Sequence, residues 1–316
     1  DADRWQREVD GVFKRVPLAL AFSSQITEPG DFLAMEVVGV PLIIVRDDEG
    51  ETRAFVNQCS HRGNYVTNEE SGNVKSFRCN YHAWNYNLKG DLINILDEKN
   101  FGEVDKSCLG LTALPVAERA GMIWVTLNPK STLDIDLFLN GYGEMLENLR
   151  LAETHVAGQQ VIEGPNWKVA YDGYRDFYHL PVLHSTSIGR ESTPKADYYS
   201  WGPHVRVTAP NRFEELEGVP EAQWADGLMN SGVWTIFPNI SIAGGAEGPY
   251  MISQMFPGKT PGESVTTQYF AAFESPDEVD QQGLAAYMSS MVDVVRDEDY
   301  YTGLRVQKAL ATGTKQ

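Results

Sequence analysis

Between Cys59 and Trp84 the chain reads Cys-Ser-His-Arg-Gly, fifteen further residues, then Cys-Asn-Tyr-His-Ala-Trp. Cys59 and His61 stand one residue apart and Cys79 and His82 two apart, with seventeen residues between the pairs. Two short loops, each offering one thiolate and one imidazole, must therefore face each other for the four groups to share a ligand. That requirement suits a [2Fe–2S] cluster in which one iron takes both cysteines and the other takes both histidines, raising the reduction potential above that of an all-cysteine centre. Zinc accepts the same ligand types, but its spacings pair like with like, so mixed loops argue for the cluster.

A second dense stretch follows. Asp172, Asp176, His179 and His184 lie within thirteen residues, and four of the six histidines sit in these two stretches. On a continuous helix Asp172 and Asp176 share a face, and His179 lies one turn beyond Asp176. Pro181 disfavours helix at Leu180, so a kink there is expected to bring His179 and His184 together. Two histidines and one carboxylate on one face describe a non-haem Fe(II) site with positions left for O₂. A carboxylate is available near the C-terminus, where Leu284, Met288, Val292 and Val295 form an apolar stripe. Asp299 continues that stripe and Asp297 falls off it. Asp299 buried on such a stripe needs a partner or a metal; otherwise Asp297-Glu298-Asp299 is a solvated acidic turn.

On these residues the chain resembles the α subunits of Rieske non-haem iron ring-hydroxylating oxygenases. The cluster loops match, including Arg62-Gly63 and Tyr81, Ala83 and Trp84. So does the run Asp176-Phe-Tyr-His179-Leu-Pro-Val-Leu-His184, led in by Asn166-Trp167-Lys168. Asp172-Gly173 departs from the family's pattern of an amide or acid followed by Asn. The resemblance implies that Cys59, His61, Cys79 and His82 hold the cluster and that His179, His184 and Asp299 hold Fe(II). In the family an acidic pair is followed eight residues later by Gln, here Glu298-Asp299 and Gln307. It also implies that Asp176 is not a ligand but bridges a cluster histidine of one subunit (His82) to an iron-bound histidine of the next (His179). A ring of three α subunits follows from that, a closed head-to-tail assembly, with or without a β subunit.

Composition sets the outer limits. A length of 316 residues suggests two domains with their own cores. With 44 acids against 26 bases the net charge is −18, which repels phosphate backbones and excludes nucleic acid as a partner. No apolar run approaches eighteen residues, so no membrane-spanning helix is expected. The first residue is Asp and no leader pattern follows it; with three cysteines and no disulfide framework, a cytoplasmic location is expected. Cys108, outside the cluster loops, is expected to be a buried inert thiol. Arg62, Lys75, Arg78 and Lys89 surround the loops, either as a solvated rim or as a docking patch for an acidic electron donor.

Periodicity predicts a short amphipathic helix over residues 3–14 and then short strands at Ala34–Val38, Leu42–Val45, Ala54–Asn57 and Met122–Leu127. Helical spacing returns from Ile135 to Leu151. Strands are expected at Val233–Ala243, Tyr250–Phe256 and Val265–Phe273, with a helix over 277–310. The expected class is α+β: an all-β Rieske domain over residues 16–130, and a catalytic domain over 131–316 with an antiparallel sheet flanked by helices (helix-grip-like), on which the helix of residues 1–15 packs. No flavin, nicotinamide or nucleotide motif is present, so electrons must arrive from a separate reductase or ferredoxin. The expected activity is that of a terminal oxygenase acting on an organic, aromatic substrate; amine or quaternary ammonium oxidation and a non-catalytic electron carrier are the alternatives.

Overall fold

The computed structural model describes residues 1–314 except 191, 211–212, 224–230, 245–248 and 276. The chain divides into two compact units. One holds Arg7–Phe138 and Leu146–Ala152; the other holds Asp1–Gln6, Leu139–Met145 and Glu153–Gln316.

The first unit is all-β in its body. Its strands are β1 (Leu18–Phe22), β2 (Asp31–Val37), β3 (Val40–Arg46), β4 (Thr52–Val56), β5 (Ser71–Asn73), β6 (Phe77–Arg78), β7 (Asn85–Tyr86), β8 (Leu92–Asn94), β9 (Val116–Arg119) and β10 (Met122–Val125). They form three antiparallel sheets, β1-β10-β9, β4-β3-β2-β5 and β6-β7-β8. Two hairpins close with two left-handed residues each, Val38-Gly39 and Ala120-Gly121, the geometry that matches strand twist. Around Phe55, Phe77, Trp84 and Tyr86 the buried core encloses Cys59 and Cys79. Asp47 is fully buried; it accepts the N–H groups of Glu49 and Glu51 and pairs with Arg53 at 2.9 Å, tying the β3–β4 turn.

Several expectations for residues 1–152 change. Helix α1 covers only Ala2–Glu8 and continues as a π-helical turn, Val9–Phe13. Ile135–Leu151 is not one helix: Asn140 and Gly141 both take positive φ and separate α2 (Ile135–Leu139) from α3 (Tyr142–Glu147). Cys108 is exposed rather than buried, because it ends a surface 3₁₀ turn and its thiol donates to Asp105. Of the four cations near the cluster loops, Lys89 is engaged by Glu49.

The second unit is built on seven antiparallel strands: β11 (His155–Gly164), β12 (Asp197–Trp201), β13 (His204–Ala209), β14 (Ser231–Ile236), β15 (Ile240–Ala243), β16 (Tyr250–Pro257) and β17 (Ser264–Ala272), in the order β11-β17-β16-β15-β14-β13-β12. Val233–Ala243, expected as one strand, is a hairpin, since Pro238 has no N–H for a ladder and the chain turns there. Helices α4 (Trp167–Gly173), α5 (Leu180–Leu183), α6 (Gln281–Val292) and α7 (Tyr301–Leu310) complete it, with a π-helical segment over Asp293–Tyr300. The register puts Val207, Val233, Ala243, Met251 and Phe270 in one row across the sheet. Phe177 and Leu180 pack at its β13 end, and Leu284, Met291 and Val294 at its other end. Both functional helical runs therefore cover the same sheet face. Among the described residues no helix is long and apolar enough to cross a membrane.

Candidate metal centres

Cys59 and His61 lie on the loop after β4, and Cys79 and His82 on the turn between β6 and β7. The loops close alike. Gly63 N–H donates to the Cys59 carbonyl and Ala83 N–H to the Cys79 carbonyl, both with positive φ. The imidazoles of His61 and His82 approach to 4.6 Å between centroids; Trp84 stacks on His61 at 4.8 Å and Tyr81 covers His82 at 3.8 Å. Tyr86 hydroxyl lies 3.2 Å from Cys59 Sγ and accepts the Ser60 N–H. Burial raises the Cys79 thiol pKa, but the N–H of Tyr81, the Asn64 amide and Cys59 outweigh it, so the thiol is held below its ordinary value, as a thiolate ligand requires. Burial, then His82 and Arg62, lower His61, which keeps it neutral. Buried His61 Nδ1 bonds to nothing among the described residues. Two thiols and two imidazoles, one of them with an orphaned nitrogen, fit the cluster that the sequence predicts.

In the second unit α4 starts at Asn166, whose side chain caps the Lys168 N–H. Gln307 of α7 accepts the Asn166 N–H at 2.7 Å and donates to the Gly262 carbonyl, which fastens the start of α4. Helix α4 ends at Gly173 rather than continuing to His184, so the expected one-helix face for Asp172, Asp176 and His179 does not form. Asp172 is exposed and takes no part in the centre. Turns carry the chain over 174–179, with Asp176 accepting the Tyr178 N–H. Pro181 starts α5 rather than kinking a longer helix, and His179 and His184 sit at its two ends. Gly189 packs against that end, where a Cβ would come within 2.8 Å of His184 Cβ.

The third group comes from the π-helical segment. Its wider turns shift the α register and bring two successive acids, Glu298 and Asp299, to the centre, while Asp297 is exposed and paired with Arg296. His179 Nε2, His184 Nε2 and Asp299 Oδ1 lie 3.0–3.3 Å from one another. Each imidazole presents its other nitrogen to a different carboxylate: His179 Nδ1 faces Asp176 at 3.4 Å, and His184 Nδ1 meets Glu298, which also accepts the Ser187 hydroxyl. Those partners put the protons on Nδ1 and leave two lone pairs and a carboxylate oxygen converging on one point, an arrangement that calls for a cation. Burial raises the Asp299 carboxyl pKa, but His179 and His184 outweigh it and hold it low. Burial lowers His184, but Asp299 and Glu298 raise it overall. These three residues are the metal-capable group found among the described residues. Glu298 is visible in the sequence as half of the acidic pair, yet nothing there marks it as a contact of His184.

Comparison with known proteins finds a match over each of the two stretches that carry these groups. Residues 16–109 match the Rieske [2Fe–2S] domain model, and residues 151–315, more than half the chain, match the ring hydroxylating alpha subunit (catalytic domain). Benzene 1,2-dioxygenase subunit alpha of Pseudomonas putida is 31% identical over 254 residues, 72% of this chain and 56% of that one. The large oxygenase component of the 2,4-dinitrotoluene dioxygenase system of Burkholderia sp. is 32% identical over 199 residues, 60% of this chain and 43% of that one. The chain thus spans about half the length of the relatives it matches. A quaternary ammonium Rieske monooxygenase solved with L-carnitine shares the fold with a TM-score of 0.82 at 22% identity, over 96% of this chain and 81% of that one. Naphthalene 1,2-dioxygenase from Rhodococcus sp. bound to indole gives 0.76 at 23%, over 98% and 80%. The cluster loops, the converging His-His-Asp group and a catalytic-domain match over more than half its length together show that the chain belongs to the Rieske ring-hydroxylating oxygenase alpha subunits, with a [2Fe–2S] domain and a mononuclear-iron domain.

Proposed function

We propose that the chain is the terminal oxygenase component of a multi-component system, taking electrons from a reductase or ferredoxin and using O₂ to hydroxylate an organic, aromatic substrate. The convergence of His179 Nε2, His184 Nε2 and Asp299 Oδ1 carries this reading, because three protein donors on one face leave a metal able to take further ligands. Fe(II) held there supplies the redox chemistry with O₂. Asp299 supplies the negative charge of the donor set. Asp176 and Glu298 keep the Nδ1 protons in place, so both Nε2 atoms stay available for metal.

Cys59, His61, Cys79 and His82 hold the cluster in this reading. The half-buried histidine side, rather than the buried cysteines, is the edge through which electrons pass. Exposed Arg62, Lys75 and Arg78 offer an acidic donor its docking charge. Asp176 also acts between subunits in this reading. Its exposed carboxylate links His179 to His82 of a neighbouring subunit, so the working form is a head-to-tail trimer, with or without a β subunit.

Purified, iron-reconstituted protein tests the function. We expect three irons and two sulfides per chain, and O₂ consumption that depends on both an electron donor and an aromatic substrate. Two irons per chain with no substrate-dependent O₂ uptake means an electron carrier and overturns the oxygenase reading.

A further inference from the structure

Two acids reach the metal-capable group from one short π-helical segment, Asp293–Tyr300, whose buried residues are Val294, Val295 and Tyr300. Val294 packs in one core cluster with Met251, Phe270, Leu284 and Met291. Val295 and Tyr300 stand five residues apart, and each is 3% exposed. An α-helix would turn the second of these side chains about 140° from the first, so the two could not face one surface. Bonds from i to i+5 widen the turn and bring residues five apart back toward one side. Burial of Tyr300 together with Val295 therefore goes with the π register. Such turns are rare and concentrate at functional sites.

The sheet supplies the seat for Tyr300. Its ring lies against Gly164, the last residue of β11, where a Cβ would come within 2.6 Å of the ring carbons Cδ2 and Cε2. Its hydroxyl lies 2.5 Å from Oγ1 of Thr266 on β17, and Thr266 is fully buried. Gly164 and Thr266 belong to one strand pair, Gly164 opposite Ser264 and Ile162 opposite Thr266. The side chain is thus held at both ends, its apolar ring on a glycine and its hydroxyl on a strand. Glu298 and Asp299 come directly before it. Glu298 meets His184 Nδ1, and Asp299 Oδ1 stands 3.0 Å from His184 Nε2 and 3.3 Å from His179 Nε2. An α-helical segment could not keep both Tyr300 in this seat and Val295 in the core, and the acids would rotate with whichever end gave way.

We propose that Tyr300 is a positioning residue for the mononuclear iron: seated on Gly164 and Thr266, it fixes the π register through which Asp299 and Glu298 reach His179 and His184. The inference rests on reading His179, His184 and Asp299 as the iron donors, and it adds the residue that holds the carboxylate in place. Tyr300 acts through the backbone it shares with Asp299 and not by touching the metal.

Two measurements on the iron-loaded protein test it. One is iron affinity by competition with a chelator. The other is the paramagnetic resonance of the nitric oxide adduct at Fe(II), whose rhombicity follows ligand geometry, with the cluster kept oxidised and silent. Tyr300→Phe keeps the ring on Gly164 and loses the bond to Thr266, and Thr266→Val loses the same bond from the strand. We expect each to weaken iron binding about tenfold and to change the rhombicity. The double variant should match either single to within about twofold, because all three remove one interaction. Leu284→Ala, in the core but outside the segment, should lower the melting temperature and leave both readouts at wild-type values. Unchanged affinity and rhombicity in Tyr300→Phe and Thr266→Val overturns the proposal. So does an equal loss of iron in Leu284→Ala, which would make the effect one of general stability. Asp299→Ala separates the two levels of the argument. If it keeps its iron, the donor assignment has failed; if it loses iron while Tyr300→Phe binds normally, only the role of Tyr300 has.

Discussion

At the scale of single residues, the two histidines of the catalytic unit are held by unlike carboxylates. Asp176 on His179 is half exposed, with its side chain at 52%; Glu298 on His184 is at 25%, and His184 itself is at 1%. His184 is thus the fixed anchor and His179 the one accessible from outside. Asp299→Ala should lose the mononuclear iron while keeping the cluster's colour and its reduced-state paramagnetic resonance signal, whereas Asp297→Ala, which removes only a surface partner of Arg296, should lose neither. Glu298→Ala removes the acceptor that orients His184; iron affinity should fall roughly 10–100-fold, read by competition with a chelator, again with the cluster intact. Full iron affinity in Glu298→Ala would mean that Ser187 and the packing of Gly189 suffice to fix the ring. The residue types and spacing already single out the candidate ligands, because soft and borderline donors at close spacing have few other uses. Glu298 stays hidden because its contact with His184 spans 114 positions.

At the scale of elements, the sequence is legible where periodicity persists and illegible where single residues interrupt it. Strand β17 alternates over much of its length and β16 is a run buried at almost every position, and these patterns locate both to within a residue of their ends. Strand β11 gives no such signal, since His155–Gly164 mixes exposed and half-buried positions, pairs only at one edge and carries two glycines that weaken any strand pattern. The closing helix shows the reverse case. An α register places Asp299 on the inner face, yet that register does not hold there; the π-helical segment brings in both Glu298 and Asp299, where an ideal α-helix would turn them about 100° apart. Local ties matter as much in the β unit. Asp47 accepts two backbone N–H groups and the Arg53 guanidinium at zero exposure, so Asp47→Ala should cost about 1–3 kcal/mol in chemical denaturation, seen as a lower midpoint. Burial raises the Asp47 carboxyl, but Arg53 and the two N–H groups hold it below its ordinary value of 3.8. A lowered folded-state pKa contributes stability that is present above 3.8 and lost as pH falls through the folded value. Acid unfolding of the wild type should therefore steepen below about pH 4 relative to Asp47→Ala.

At the scale of the whole molecule, both units expose apolar side chains beside their metal sites. Tyr178, Val182 and Ile188 are 76%, 78% and 55% exposed around His179 and His184, and Tyr81 is 62% exposed over His82. Such clustered apolar exposure marks an interaction surface rather than a solvated face. The proposed head-to-tail ring covers both patches at once and sets Asp176 between His179 of one subunit and His82 of the next. Two substitutions separate assembly from electron transfer. Val182→Glu puts a charge into the covered surface; sedimentation should show monomers that keep both metal sites, with a cluster that reduces but is not reoxidised by substrate and O₂. Asp176→Asn should leave the trimer and both metals in place, because its shape is kept. An amide can accept at only one oxygen, and its NH₂ faces one of the two imidazole N–H donors, so one side of the bridge must break. Single-turnover reoxidation of the reduced cluster should then slow by orders of magnitude while donor-driven reduction is unchanged. Near-normal reoxidation in Asp176→Asn, or loss of its mononuclear iron, would reduce Asp176 to a support for His179 alone. A Val182→Glu protein that still sediments as a trimer would place the interface elsewhere.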